Sequence, residues 1–163
     1  MFSALTKANF YLNYFGIFKV PLIWYCRPKI LLLNEQAVEV RIPLKRRNKN
    51  HLNSMYFGVL AVGADVAGGF MAMHKAQQRG EVISLAFKAV KAEFLKRPEG
   101  DVHFHCVDGV AIDAMLDETI ATGQRVNHEV KIVATCPSQH GDEPMAEFWL
   151  TLSVKAVKPK LSN

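Results

Sequence analysis

The chain has 163 residues, which is the usual length of one domain, and half of its residues are apolar while 21% are charged. This composition excludes a disordered or collagen-like chain, and the length argues against a two-domain enzyme. Twenty Lys and Arg against fifteen Asp and Glu give a net charge of +5, which suits an anionic partner; we expect no nucleic-acid partner.

The first predicted element is an N-terminal helix over Ser3 to Phe18, lying on the outside of the fold. The stretch from Phe10 to Cys26 is rich in aromatic and aliphatic residues, but it contains Lys19 and Pro21. It also lacks a small-residue cleavage site, which argues against a signal peptide. We therefore expect a single domain, in which residues 1–32 form a helical extension and residues 33–158 form the core.

Five later segments are predicted as strands. In Gln36 to Lys45, the apolar residues Val38, Val40 and Ile42 alternate with polar ones, as in a half-buried strand. The segment Val82 to Leu95 changes phase halfway, which predicts a bulge. The predicted strands are 36–45, 82–95, 101–107, 124–136 and 146–156, and the turn-rich segments 98–100 and 137–144 are predicted as loops.

Two helical patterns lie between these strands, at Met55 to Gln77 and at Val110 to Thr122. The stretch from Met55 to Met73 carries a single charge, Asp65, so its hydropathy alone is compatible with a membrane span. Its four glycines and the neighbouring strands favour a buried core helix instead. The sequence thus predicts an α+β fold, with an antiparallel sheet curled around one long central helix.

Asp65 is the most informative residue because it lies near the middle of this apolar helix. A buried carboxylate is costly unless it is paired or serves chemistry. A catalytic role is one interpretation, and a structural carboxylate hydrogen-bonded to a neighbouring strand or subunit is the other. At helical spacing Asp65 shares a face with a strip of small residues, namely Gly58, Ala61, Val62, Gly68, Gly69 and Ala72.

The start of the same helix is a second candidate feature. Asn53 or Ser54 is the expected N-cap, which leaves the next amides unpaired and able to bind an oxyanion. An ordinary capped helix is the alternative interpretation. The amides in question belong to Met55, Tyr56, Phe57 and Gly58.

A family resemblance is visible at this point. The segment NHLNSMYFGVLAVGAD, residues 50–65, resembles the active-site segment of PaaI-like acyl-CoA thioesterases of the hotdog fold. The segments RNKNHLNSMYFG, VISLAFKAVKAEFLKRPEGDVHF and AEFWLTLSVK are similar to a thioesterase-like branch of that superfamily, so the similarity covers about residues 33–158. It implies the hotdog fold, with Asp65 as base or nucleophile, Asn50 as an orienting residue and the Phe57 and Gly58 amides as oxyanion donors. Tyr56-Phe57-Gly58 replaces the His-Gly-Gly of that family.

Further candidates concern substrate binding. Tyr56 lies in the segment that replaces His-Gly-Gly, and His51 is either an imidazole near the site or a surface group. The basic run 45–49, which includes Arg46 and Arg47, is either a site for the phosphates of coenzyme A or a solvated charge run. Lys96-Arg97 is a second basic candidate of the same kind.

Metal and disulfide chemistry are not expected. His103 and His105 share one strand face, but no third ligand accompanies them at a suitable spacing. The three cysteines are widely spaced and odd in number, so neither a disulfide scaffold nor a metal motif is predicted. A reducing, cytoplasmic location is the corresponding expectation.

Together these features predict a hotdog-fold homodimer, or a dimer of dimers, that hydrolyses an acyl thioester. Acyl-CoA is the expected substrate, with coenzyme A entering as part of the substrate and no cofactor required. One alternative is a non-catalytic module of the same fold that binds or senses an acyl group. The other is a membrane-associated protein, suggested by Phe10 to Cys26, although we expect no membrane association.

Overall fold

The computed structural model describes residues 3–157. Within this range a short 3-10 turn covers Arg46–Asn48. The helices are α1 (Ala4–Phe18), α2 (Pro21–Cys26), α3 (Phe57–Gln78), α4 (Gly109–Thr122) and α5 (Pro137–His140). The strands are β1 (Lys29–Leu33), β2 (Val38–Ile42), β3 (Ile83–Phe94), β4 (Val102–Cys106), β5 (Val126–Thr135) and β6 (Pro144–Ala156).

The six strands form one antiparallel sheet in the order β1-β2-β4-β5-β6-β3, and α3 packs across one face of it. The predicted alternation is confirmed in β2, where Val38, Val40 and Ile42 are all buried. The approach of helix to sheet is close, since a Cβ added at Gly63 would collide with the ring of Phe104. The α+β architecture with a long central helix is therefore confirmed.

Helix α3 is held in the core along its length. By length and composition it is the one helix in residues 3–157 that is apolar enough to cross a membrane, but most of it is buried against the sheet, as the sequence predicted. At its C-terminal end the buried Lys75 Nζ lies 2.7 Å from Asp113 Oδ2 of α4. Arg79 contacts the other oxygen of the same carboxylate at 2.6 Å, so α3 and α4 are tied by charge as well as packing.

Three elements were not predicted from the sequence. Strand β1 lies within the expected N-terminal extension and pairs with β2, so the sheet begins before residue 33. Helix α2 begins at Pro21, because proline is well tolerated in the first turn of a helix. The predicted loop 137–144 contains the short helix α5.

The predicted bulge in β3 is confirmed. The pairing of β3 with β6 shifts register between Phe87 and Ala89, which leaves Lys88 without a partner. Because of this extra residue, the apolar residues before and after the bulge pair with inward-facing positions of β6 and so share one face of the sheet. These residues are Ile83, Leu85, Phe87, Val90, Ala92 and Phe94.

The two edges of the sheet differ. At the β1 edge, Asn9 of α1 bonds both backbone groups of Ile30: its Oδ1 accepts from the Ile30 N–H and its Nδ2 donates to the Ile30 carbonyl, each at 2.9 Å. At the other edge, β3 pairs with β6 alone, and within residues 3–157 no strand lies on its outer side. Most of its side chains are exposed.

Candidate active site

A cavity of about 440 Å³ lies between the N-terminal helices, α3 and β3. This volume is in the range of sites that hold small-molecule ligands. Asp65 provides a carboxylate in a lining that is otherwise mainly apolar. Among the apolar lining residues are Tyr11, Phe15, Ile23, Phe70, Leu85 and Phe87.

The Asp65 carboxylate has the properties of a chemically active group. Burial raises the pKa of Asp65 from its ordinary value of 3.8 to about 6. Within residues 3–157, neither a hydrogen bond nor an ion pair engages this carboxylate, and a structural role bonded to a neighbouring strand of its own chain is not observed. A half-buried, unpartnered carboxylate that is still ionised at neutral pH can accept a proton from water.

The small residues of the predicted strip do not all face the Asp65 carboxylate. Gly69 lies beside the carboxylate, since a Cβ added there would be 3.6 Å from Asp65 Oδ1 and 3.2 Å from Phe87 Cζ. Gly68 instead packs against the sheet, where an added Cβ would be 3.4 Å from Ile132 Cδ1. The space next to Asp65 therefore depends on Gly69 and not on a continuous strip.

The predicted N-cap is wrong. Helix α3 begins at Phe57, and its N-cap is Tyr56, which makes no side-chain cap hydrogen bond. The preceding residues form a loop closed by a bridge between Lys49 and Met55, and these tertiary contacts delay the start of the helix. Asn53 lies in this loop with a positive φ of 61°.

Two of the four predicted amide donors are already used. The Met55 N–H donates to the Pro98 carbonyl at 2.9 Å, and the Tyr56 N–H donates to the Asn48 carbonyl at 2.8 Å. The next two amides, of Phe57 and Gly58, donate to no acceptor in the part of the chain that the structure describes. They are the free amides at the positive end of the helix dipole, where an oxyanion is stabilised.

Aromatic rings surround these two donors. The Tyr56 and Phe57 rings are 4.8 Å apart, and Phe57 contacts Phe94 of β3 edge-on at 6.2 Å. A Cβ added at Gly58 would lie 2.7 Å from Tyr56 Cε1, so the lack of a side chain at Gly58 leaves the room that the tyrosine ring occupies. Tyr56 and Phe57 are both exposed, and together they form an apolar rim around the helix start.

Asn50 holds the loop and does not line the cavity. Its Oδ1 accepts from the Leu52 N–H at 2.9 Å and from the Ser54 N–H at 3.2 Å, and its Nδ2 donates to Ser54 Oγ at 3.0 Å. These bonds occupy the side-chain amide of the residue that was predicted to orient the site. Asn50 therefore positions the segment that leads to the Phe57 and Gly58 donors.

Asn48 is a positioning residue that the sequence did not reveal. Its side chain is fully buried, and its Nδ2 donates to the carbonyls of Cys26 at 3.2 Å and Pro43 at 2.8 Å. Its own carbonyl accepts the Tyr56 N–H. Asn48 thus connects α2, the end of β2 and the start of α3.

The other predicted substrate-binding residues lie outside the cavity. Arg46 and Arg47 line a separate basic cleft that also includes Tyr25 and Arg27. The Arg47 guanidinium lies 5.1 Å from the centre of the Tyr25 ring. His51 is exposed on the loop before α3. The structure thus brings none of these three side chains to Asp65.

The two strand histidines have protein partners. His103 Nδ1 lies 2.6 Å from Glu39 Oε1, and His105 Nε2 lies 3.2 Å from Thr135 Oγ1. No group of three or more potential metal-ligating side chains occurs in residues 3–157.

The Asp65 carboxylate and the free amides of one chain are far apart. Gly58 and Asp65 are separated by seven residues of α3, which corresponds to about 10 Å along the helix axis. A base that activates water against a bound carbonyl must lie within hydrogen-bonding reach of that water. One chain therefore does not present both groups to the same reacting atom.

This architecture, an antiparallel sheet around a long central helix, is the hotdog fold, and it is shared by solved structures that cover nearly all of the chain. A Chlorobaculum tepidum protein of unknown function has a TM-score of 0.80 at 14% identity, with 93% of this chain and 96% of that chain covered. A probable thioesterase from Pseudomonas aeruginosa has a TM-score of 0.76 at 19% identity, covering 96% and 99%. A thioesterase from Haemophilus influenzae has a TM-score of 0.68 at 14% identity, covering 99% and 97%.

The sequence defines the family more closely. The profile of the domain of unknown function DUF4442 matches residues 10–150, and the chain belongs to this family. No curated protein matches the chain in sequence. The predicted relation to hotdog-fold thioesterases is confirmed at the level of the fold, while the PaaI-like branch stays a prediction.

Proposed function

We propose that this protein hydrolyses an acyl thioester, with acyl-CoA as the substrate. The observation that carries the proposal is the unpartnered Asp65 carboxylate in an apolar cavity. An acyl chain fits such a lining, and a carboxylate with a pKa of about 6 is a competent base at neutral pH. Hotdog-fold neighbours that are named thioesterases support the same reaction class.

In the proposed reaction, Asp65 takes a proton from water as the water oxygen bonds to the thioester carbonyl carbon. The carbonyl oxygen becomes an oxyanion, which the Phe57 and Gly58 amides stabilise. The intermediate then expels the thiolate, which takes up a proton, and the free acid is left. Direct attack by the Asp65 carboxylate on the carbonyl carbon, followed by hydrolysis of the anhydride, uses the same groups.

The proposal includes a homodimer, because one chain holds its carboxylate and its amide donors about 10 Å apart. Pairing of two chains along β3 brings the carboxylate of one protomer toward the amides of its partner. The bare edge of β3 and the apolar side chains beside it suit such pairing. The exposed apolar side chains at and beside this edge are Tyr56, Phe57, Phe87, Val90 and Phe94.

A second candidate function is acyl-group binding without turnover. It is favoured by the rings of Tyr56 and Phe57, which crowd the two amides that would hold the thioester oxygen. The same cavity and the same dimer serve both functions. Turnover distinguishes them, since a binding module retains the acyl ligand without releasing thiol.

The experiment is Asp65→Asn, assayed by thiol release from acyl-CoAs of short, long and aromatic acyl groups. Loss of the base lowers the rate by about a hundredfold or more, while circular dichroism and the melting profile show a folded protein. Asp142→Asn, at an exposed carboxylate, is the matched control and keeps the rate. A folded Asp65→Asn protein with wild-type turnover contradicts the assignment, and saturable acyl binding without turnover in the wild type favours the binding module.

The carrier is tested at the basic cleft with Arg46→Gln/Arg47→Gln. If these residues meet coenzyme A phosphates, KM for acyl-CoA rises about tenfold at low salt, and less as salt increases. KM for an acyl-pantetheine thioester, which lacks the nucleotide phosphates, stays unchanged. Equal changes for both substrates place the phosphates elsewhere, with Lys96 and Arg97 as the next candidates.

A further inference from the structure

The outward face of α1 and α2 is apolar, and no part of residues 3–157 covers it. The inward residues Ala8, Leu12 and Ile23 are buried in the core, yet the opposite side of these helices is also apolar. A helix that is apolar on both sides is expected to have a partner on both sides. We call the exposed side the outer face, and it consists of Phe10 (74% exposed), Tyr14, Ile17, Phe18 (67%), Leu22 and Tyr25.

The charges carried by α1, α2 and the residues directly after them have one sign. The chain contains no Asp or Glu before Glu35, whereas Lys7, Lys19, Arg27 and Lys29 are all exposed in this part. The basic cleft adds Arg46 and Arg47 directly beside α2. Its cations also contact aromatic rings, since the Arg27 guanidinium lies 4.0 Å from the centre of the Trp24 ring. The nearest acid along the chain, Glu35, lies beside the first turn of α1, at the end away from Phe18 and α2. Exposed apolar side chains flanked by cations suit a partner with an anionic surface above an apolar interior, such as a membrane.

The spacing of these residues allows them to enter such a surface together. Lys7, Phe10 and Tyr14 follow one another at intervals of three and four residues, so they form one stripe along α1. Phe18 continues the stripe, and its ring is 4.9 Å from the ring of Tyr14. Aromatic residues at the level of lipid headgroups, with Lys and Arg beside them, are typical of helices that lie in the plane of a membrane.

We propose that the outer face docks the protein onto an anionic lipid membrane, with α1 and α2 lying in its headgroup region. A second copy of the chain is a poorer occupant, because a two-fold contact through this face places the same cations against one another without an acidic partner. This inference is independent of the thioesterase proposal, and it reverses the sequence-based expectation of no membrane association.

The test is flotation of the purified full-length protein with phosphatidylcholine vesicles, and with vesicles that also contain phosphatidylserine. The protein floats with the anionic vesicles, and the bound fraction falls as salt increases. Phe10→Ser/Phe18→Ser lowers the apparent partition coefficient about tenfold or more. Lys7→Gln/Lys19→Gln lowers it about fivefold for each lysine, and on anionic vesicles alone.

The matched control is Val107→Ser/Val110→Ser, at two side chains that are each 72% exposed and far from the outer face in sequence. This variant binds vesicles like the wild type. The proposal is overturned if the wild type does not float with anionic vesicles, or if Phe10→Ser/Phe18→Ser binds them equally well. It is also overturned if light scattering shows that the same variant separates a dimer into monomers, because the outer face is then a contact between copies.

Discussion

The two edges of the sheet are built in opposite ways. At β1, the side chain of Asn9 forms hydrogen bonds with both the N–H and the carbonyl of the fully buried Ile30, and α1 covers the edge. At β3, twelve residues present an edge that no strand in residues 3–157 covers, and Val90 on its α3-facing side is 65% exposed. An uncovered edge strand invites pairing with another chain, which natural proteins prevent unless the pairing is used. We therefore expect the β1 edge to contribute stability, whereas the β3 edge belongs to the proposed dimer contact and the proposed catalytic site.

The largest expected effect is on assembly, from Val90→Lys. In a β3-paired dimer this substitution buries two like charges at the contact, which weakens dimerisation by about 4 kcal/mol, roughly a thousandfold in Kd. Sedimentation velocity at micromolar protein then shows monomers, and thioester turnover falls with the dimer fraction. The matched control is Leu32→Lys, on the β1 edge and 43% exposed, which leaves the oligomeric state unchanged. A wild-type monomer, or a Val90→Lys dimer, contradicts the comparison.

The next effect is on stability, from Asn9→Ala at the covered edge. The substitution leaves the N–H and carbonyl of Ile30 without partners, which lowers the free energy of unfolding by about 3 kcal/mol. Urea denaturation measures this loss. Asn13→Ala, one turn further along α1, removes an exposed bond to the Asn9 carbonyl and is the control, with a change below about 0.5 kcal/mol. Equal losses for the two variants contradict a special role for the Asn9 bridge.

The smallest effect concerns the pH dependence of stability at Asp65. Because the folded-state pKa, about 6, exceeds the ordinary value of 3.8, Asp65 stays protonated to a higher pH in the native protein than in the unfolded chain. The contribution of Asp65 to the free energy of unfolding therefore falls as pH rises from about 4 to about 6, and it is constant above that pH. Asp65→Asn is thus more stable than the wild type at pH 7, by about 2 kcal/mol once the linkage value of about 3 kcal/mol is reduced for the partial exposure of the carboxylate, and the difference disappears near pH 4.

We expect the rate of the proposed thioester hydrolysis to depend on the ionised form of the same carboxylate, so the rate rises with pH where stability falls. The rate is expected to fall about tenfold per pH unit below pH 6, where the base is protonated. Denaturant titrations and initial rates measured in the same buffers test both statements. An Asp65→Asn protein that is less stable than the wild type at pH 7 indicates a structural carboxylate.

The sequence predicts the fold well where burial is one-sided. Val38, Val40 and Ile42 of β2 alternate because one face of that strand is buried, and the phase change in β3 correctly marks its bulge. Strand β1 was missed because its segment Lys29–Leu33 is a short apolar run without alternation. Such a run does not distinguish a strand from other buried structure.

The candidate site is harder to predict from the sequence, because contacts between separate parts of the chain determine its geometry. The start of α3 depends on the Pro98 and Asn48 carbonyls, which accept the Met55 and Tyr56 amides, and local capping rules do not include such partners. Tyr11 and Phe15 line the cavity through packing between elements that no local pattern reveals. Asp65 was identifiable because a lone charge in an apolar helix is a local property of the sequence.

The bulge in β3 also constrains how this sequence can change in length. Deletion of Lys88 restores regular pairing, and because Phe87 and Val90 then stand two positions apart, the later residues keep their partners on β6 and their face of the sheet. Val90 and Phe94 stay on the α3-facing side, and Lys91 and Glu93 stay on the other side. What the deletion removes is the bulge itself, with its local bend and extra twist. The strand therefore tolerates the loss of one residue at the bulge, whereas the loss of one residue from its regularly paired part shifts the pairing by one position and turns side chains to the other face.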